Sequence, residues 1–126
     1  MELVILFIFI IYFNLLNLTF PYFILSYKFS ESSKSIYDGE FPDENYNILH
    51  DTPGIIGMVK KGGRKHSNEC QFYITLASLQ SFDKNFVAFG RIVEGFENIH
   101  SIESMESYLQ RPTRVIKISS CGEYVI

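Results

Sequence analysis

The sequence lacks the short motifs that mark many hydrolases and nucleotide-dependent enzymes. It contains no HExxH metalloprotease motif, no GxSxG nucleophile motif and no Gly-rich loop followed by Lys-Ser or Lys-Thr. Its two cysteines, Cys70 and Cys121, match no zinc-binding spacing, so we expect no metal site and two buried free thiols, with a disulfide as the alternative. Lys and Arg number 11 against 14 Asp and Glu, which excludes a basic nucleic-acid-binding protein.

Charged side chains are almost absent from residues 1–29, which hold 22 apolar residues and only Glu2 and Lys28 as charges. The 25 uncharged residues at 3–27 are long enough to cross a bilayer as a helix. A secretory signal would begin with positive charge and end at a small-residue cleavage site, and neither is found here. The interpretations that stay open are a membrane anchor, a leader that is not native to the domain, and a cleaved signal or buried core element rich in strand-forming residues.

Residues 30–126 carry the other 23 of the 25 charges and form the predicted globular domain. Apolar, β-branched and aromatic runs at 54–59, 71–76, 86–93 and 111–119 predict strands. Residues 60–69, with four basic side chains and two glycines, are expected as an exposed loop. Apolar residues three apart predict one helix over 94–105: Phe96, Ile99, Ile102 and Met105. The fold class that follows is mainly β with one packing helix.

Six segments, in order, resemble the C-terminal two-thirds of a cyclophilin, the cyclosporin-binding type of peptidyl-prolyl cis-trans isomerase. They are residues 34–37 (KSIY), 41–46 (FPDENY), 53–58 (PGIIGM), 68–75 (NECQFYIT), 83–95 (DKNFVAFGRIVEG) and 116–122 (IKISSCG). The details look most like the peptidylprolyl isomerase-like 6 subgroup. Cyclophilins form a closed eight-stranded antiparallel β-barrel with two helices, so the resemblance implies a partial barrel over 30–126, truncated at its start.

The resemblance implies rotation about X–Pro peptide bonds, whose barrier is about 18–20 kcal/mol. This reaction requires no metal or cofactor, only an apolar socket for the proline ring and a donor aimed at the prolyl nitrogen. By alignment, Gln71 hydrogen-bonds the ligand backbone, and the backbone of Val59 and Lys60 pairs with the peptide. The socket residues that the alignment gives are Tyr73, Phe82 and Phe86. The implied partners are proline-containing peptides or proteins.

The resemblance implies that part of the family's site is missing from the matched segment: the arginine that supplies the donor, and a Phe, a Met and a Gln of the same region. No arginine precedes Arg64, which lies outside the family's early catalytic strand, so no catalytic residue is identified and activity is expected to be impaired. Ser81 stands where cyclosporin-sensitive members carry tryptophan, which predicts weak or no cyclosporin binding. The alternative functions are a non-catalytic proline-peptide-binding module and a truncated non-functional product. The expected location is cytoplasmic, or membrane-attached if residues 3–27 are an anchor.

Overall fold

A four-stranded antiparallel sheet forms the framework for the predicted site. The structure is a computed structural model, and it describes residues 22–25, 35–108, 111–112 and 116. The sheet has the spatial order β1-β3-β2-β4. Its strands are β1 (Tyr22–Leu25), β2 (Ile55–Lys60), β3 (Asn68–Thr75) and β4 (Ala88–Arg91), with short 3-10 turns at Lys61–Gly63 and Gln80–Phe82.

The described residues divide into two compact units, one holding residues 22–25 and 35–91, the other residues 92–108, 111–112 and 116. The second unit contains helix α1 (Phe96–Glu103) and a two-stranded antiparallel sheet of β5 (Ser107–Tyr108) and β6 (Arg111–Pro112). Ile99 and Ile102 are each 2% exposed, so the predicted helix and its apolar face are confirmed. Apart from β6 and residue 116, the strand predicted over 111–119 lies outside the described residues, as does Cys121.

The central strands β2 and β3 bury side chains on both faces of the sheet. Ile56 pairs with Ile74, and Gly57 pairs with Tyr73. Because successive side chains of a strand point to opposite faces, Tyr73 lies on one face and the Ile56–Ile74 pair lies on the other. All three of these side chains are at most 3% exposed. Burial on both faces explains why these strands appear in the sequence as continuous apolar runs rather than as alternating ones.

Strand β1 lies inside the apolar N-terminal segment. It pairs antiparallel with β3, Tyr22 opposite Thr75 and Leu25 opposite Phe72. Residues 22–25 are therefore strand, as one of the interpretations of the segment allows. The rest of residues 1–29 lies outside the described part, so the membrane anchor stays a prediction. Within the residues that are described, no helix has the length and apolar character needed to cross a bilayer.

A buried ion pair holds residues 41–46 against the end of β2. Lys60 Nζ lies 2.6 Å from Asp43 Oδ2, and the two side chains are 1% and 2% exposed. The expectation that Lys60 belongs to the exposed loop is therefore wrong, because this lysine ends β2 and has a carboxylate partner that is distant in sequence. The predicted exposure of Lys61 and Arg64 is confirmed, since both side chains are 62% exposed.

The Asp43 carboxylate also accepts hydrogen bonds from neighbours other than the lysine. The donors are Tyr46 Oη at 2.6 Å, the His66 amide at 3.1 Å and Asn68 Nδ2 at 2.8 Å. Burial by itself would raise the pKa of Asp43, but these hydrogen bonds and that from Lys60 outweigh burial and hold the pKa far below its ordinary value. Asp43 therefore stays ionised over the whole ordinary pH range.

We expect Asp43→Asn to lower the free energy of unfolding by about 3–5 kcal/mol at neutral pH, because Lys60 is left as an unpaired buried charge. The folded-state pKa of Asp43 lies below its unfolded value. Its contribution to stability is therefore present above the unfolded pKa of about 3.9 and is lost as the pH falls toward the folded value. Urea unfolding as a function of pH should accordingly show a shallower acid loss in the variant.

Glu44→Gln is the matched control, since Glu44 is the neighbouring exposed carboxylate and has no ion-pair partner among the described residues. It should change the free energy of unfolding by less than about 0.5 kcal/mol. Equal effects of the two substitutions would contradict a structural role for the buried ion pair.

Candidate substrate-binding site

Three aromatic side chains predicted for the socket lie together on one face of the sheet. Tyr73 belongs to β3, whereas Phe82 and Phe86 come from the turn between β3 and β4. The rings of Phe82 and Phe86 stack with centroids 4.4 Å apart, and each meets the Tyr73 ring edge-on at 5.4 and 5.9 Å. Tyr73 is 1% exposed, and the two phenylalanines are half-buried. The accessible apolar surface of this cluster is therefore the Phe82–Phe86 pair.

The polar end of Tyr73 is held by a buried histidine. His50 Nε2 lies 2.6 Å from Tyr73 Oη, and His50 Nδ1 lies 2.9 Å from Asp83 Oδ1. Because a carboxylate only accepts, Nδ1 carries the proton, and in the neutral ring Nε2 accepts from the Tyr73 hydroxyl. Burial, with a smaller effect from the charge of Asp83, raises the pKa of Tyr73, which keeps its hydroxyl a donor.

Asp83 completes this chain of hydrogen bonds at the protein surface. Its Oδ1 accepts from the His50 backbone amide at 2.8 Å as well as from Nδ1. These two hydrogen bonds hold the pKa of Asp83 below its ordinary value. The carboxylate thus fixes both the backbone and the ring of His50, and the histidine in turn fixes Tyr73.

The absence of a side chain at Gly57 leaves room for the Tyr73 ring. A Cβ on Gly57 would lie 2.2 Å from Tyr73 Oη, 2.4 Å from its Cζ and 2.9 Å from the Val87 carbonyl oxygen. Any larger residue at this position would collide with the ring and with the backbone of Val87, the residue before β4. The presence of tyrosine at 73 therefore requires the absence of a side chain at 57.

The other predicted site residues lie near the cluster along β2 and β3. Gln71 precedes Tyr73 by two residues, which places it on the same face of β3, and it is half-buried. Val59 is also half-buried, two residues beyond Gly57 on β2. The side chain of Lys60 is engaged with Asp43, which leaves only its backbone for the predicted pairing with a peptide. The role of each in ligand binding stays a prediction.

Sequence reasoning missed His50 and Asp83 as parts of this site. They are separated by 33 residues, and neither stands in a motif that would link them. Cys70 is a half-buried free thiol on β3. In the described part of the chain, no group of three His, Cys, Asp or Glu side chains could hold a metal ion.

Comparison with protein families gives one match that covers most of the chain. The family described as cyclophilin type peptidyl-prolyl cis-trans isomerase/CLD matches residues 23–123. The chain belongs to this family. The match begins inside the apolar segment, at the residue after the start of β1, whereas the predicted domain boundary lies at residues 29 and 30.

Relatives named as peptidyl-prolyl cis-trans isomerases match between 71% and 77% of the chain. Two are named probable inactive peptidyl-prolyl cis-trans isomerase-like 6: the Bos taurus protein is 41% identical over 93 residues (74% of this chain, 30% of that protein), and the Homo sapiens protein is 38% identical over 97 residues (77% and 30%). This cyclophilin chain therefore spans about three-tenths of the length of these relatives. An Encephalitozoon cuniculi peptidyl-prolyl cis-trans isomerase is 40% identical over 91 residues, covering 71% of this chain and 52% of that protein.

The solved structures agree with the family assignment. A crystal structure of a Cryptosporidium parvum cyclophilin-type peptidyl-prolyl cis-trans isomerase, determined in the presence of the dipeptide Ala-Pro, has a TM-score of 0.70 and 30% sequence identity. It covers 76% of this chain and 62% of the crystallised one. The resemblance predicted from the six segments is thus confirmed, as is the mainly β, cyclophilin-like fold with one helix.

We expect Gly57→Ala to destabilise the protein by about 1–3 kcal/mol, because the added methyl group overlaps the Tyr73 ring and the neighbouring backbone. Gly90→Ala is the matched control, since Gly90 also lies in a strand of this sheet and a Cβ there would meet nothing within 4 Å. Chemical denaturation of both variants measures the difference. If Gly57→Ala were as stable as Gly90→Ala, the close approach of Tyr73 to β2 would be refuted.

Proposed function

We propose that this cyclophilin domain binds proline-containing segments at the Phe82–Phe86 surface and, within these 126 residues, accelerates their isomerisation little or not at all. The observation that carries the proposal is the stacked, half-buried phenylalanine pair over the immobilised ring of Tyr73. Proline is a compact apolar ring, and an aromatic surface of this kind removes it from water without requiring a charged partner.

The second support is Gln71, on the same face of β3. A half-buried amide beside an apolar surface offers both a donor and an acceptor to the backbone that flanks the proline. Among solved relatives, the Cryptosporidium parvum isomerase was crystallised with Ala-Pro, a ligand of the same chemical class. Together, the phenylalanine pair and Gln71 would recognise an extended segment around one proline.

The expectation of weak catalysis rests on the missing donor. Arg64, the first arginine of the sequence, lies in the exposed loop and donates to Glu40 Oε1 at 2.7 Å. Only interactions stronger in the twisted transition state than in the planar ground state raise the rate, and an apolar surface holds both states alike. The relatives named probable inactive are in accord with this.

The test uses the full chain and a short Ala–Pro peptide, with binding followed by titration and isomerisation by NMR exchange spectroscopy. We expect binding of the proline peptide, no binding of the same peptide with alanine in place of proline, and an exchange rate close to the uncatalysed one. A strong rate enhancement would show an active isomerase instead. Equal affinities for the two peptides would contradict the proposed proline-binding site.

Gln71→Ala should weaken binding of the proline peptide by about 2- to 10-fold, the range for one lost hydrogen bond. Gln80→Ala is the matched control, since Gln80 is an exposed glutamine in the turn after β3, and it should leave the affinity unchanged. Identical affinities for the two variants would exclude Gln71 from the binding surface.

A further inference from the structure

His50 lies where the aromatic cluster meets the turn that joins β3 to β4. It is fully buried, with an exposed fraction of 0%. Its ring lies against that of Tyr73, with centroids 5.9 Å apart, and meets the ring of Phe82 edge-on at 5.6 Å. A buried titratable ring therefore packs against two side chains of the aromatic cluster.

The turn at residues 79–86, which carries the two phenylalanines, is closed by its own backbone. The Phe82 amide donates to the Leu79 carbonyl at 2.9 Å, and the Phe86 amide donates to the Phe82 carbonyl at 2.9 Å. Because each of these hydrogen bonds joins residues three or four positions apart, the turn is a compact unit. The place of the phenylalanine pair on the sheet therefore depends on how this turn is attached to the rest of the protein.

His50 attaches the turn to the segment before β2 through three residues. Its carbonyl accepts from the Leu79 amide at 2.7 Å and from Ser78 Oγ at 3.3 Å. Its backbone amide and its ring Nδ1 both donate to Asp83 Oδ1, at 2.8 and 2.9 Å. Asp83 directly follows Phe82 in the chain, so the carboxylate fastens the turn beside the proposed binding surface.

The contact with Asp83 also determines what the His50 ring offers to Tyr73. With the Nδ1 proton held by the carboxylate, Nε2 is the acceptor for the Tyr73 hydroxyl at 2.6 Å. Without this carboxylate, the proton of the neutral ring can lie on either nitrogen, and a ring protonated at Nε2 has no acceptor for that hydroxyl. One carboxylate thus controls the hydrogen bond of a tyrosine that lies beyond the histidine.

We propose that Asp83 is a positioning residue for the proline-binding surface. Through His50 it holds the turn that carries Phe82 and Phe86, and through the same ring it holds the hydroxyl of Tyr73. A surface held in its binding geometry loses less entropy when a ligand binds, so its affinity is higher. This inference rests on the proposed function and adds to it a residue that acts through the histidine. What matters at position 83 is an oxygen that accepts, not the negative charge.

The test uses the full chain and the same Ala–Pro peptide, titrated against three variants. Asp83→Ala removes both hydrogen bonds to His50 and should weaken binding by about fivefold. Asp83→Asn keeps Oδ1, which must face His50 because the His50 amide only donates, so its affinity should stay within about twofold of the wild-type value. Asp51→Ala is the matched control and should leave the affinity unchanged, since Asp51 is an exposed aspartate outside these hydrogen bonds.

The outcomes separate this inference from the proposed function. If the wild-type chain does not bind the proline peptide, the proposed function fails and this inference fails with it. If the wild-type chain binds and Asp83→Ala binds equally well, the inference alone is overturned. A fivefold loss in Asp83→Asn would overturn it as well, whether or not Asp83→Ala folds, because the charge and not the accepting oxygen would then be responsible.

Two measurements without ligand report on the hydrogen bonds themselves. Nitrogen-15 NMR of the imidazole should place the proton of neutral His50 on Nδ1 in the wild-type chain and in Asp83→Asn. Amide hydrogen exchange at Leu79 and Phe86 should be faster in Asp83→Ala than in the wild-type chain, and unchanged in Asp83→Asn. A wild-type ring protonated at Nε2, or unchanged exchange in Asp83→Ala, would contradict the positioning role.

Discussion

The pairing of β2 with β3 determines which side chains lie on each face of the four-stranded sheet of this cyclophilin. Its register places Gly57 opposite Tyr73 and Met58 opposite Phe72. A slip of one residue would exchange the two faces of β3 and bring Tyr73 against a side chain instead of a hydrogen atom. The tight fit at Gly57 therefore acts as a register constraint as well as a packing contact. From this register follow the aromatic surface on one face and the apolar side chains of Ile56, Met58 and Ile74 on the other.

Each face is completed by a segment without regular structure, attached through buried polar groups. On the Tyr73 face, His50 links the segment before β2 to the turn after β3, by its ring and also by its carbonyl, which accepts from the Leu79 amide at 2.7 Å. Elsewhere in the sheet, Asp43 links residues 41–46 to the end of β2 through Lys60. Breaking such a long-range polar contact costs much free energy, because the remaining partner is left buried and unpaired.

The sequence predicts the strands and the helix, but it does not predict these long-range polar contacts. The apolar runs predicted β2, β3 and β4, and the spacing of Ile99 and Ile102 predicted α1, because burial imposes a local pattern. The sequence predicts Lys60 in the exposed loop, because a lysine among basic residues and glycines gives no local sign of its buried partner Asp43. His50 carried no sign either, because its role depends on Asp83 and Tyr73, which the fold alone brings to it. The aromatic cluster was found only through the family pattern.

The two faces differ in what they can contribute to a reaction. The phenylalanine pair and Tyr73 offer dispersion and burial, which act equally on the planar and the twisted states of an X–Pro bond. A rate enhancement would need a donor whose hydrogen bond strengthens as the lone pair localises on the prolyl nitrogen, and the Tyr73 hydroxyl cannot be that donor because it donates to His50. If the proposed function holds, an aromatic surface whose one hydroxyl group is hydrogen-bonded to His50 favours peptide binding over catalysis. Under the same proposal, catalysis at this surface would accordingly require a cation beside Phe82 and Phe86, not a change in the aromatic residues themselves.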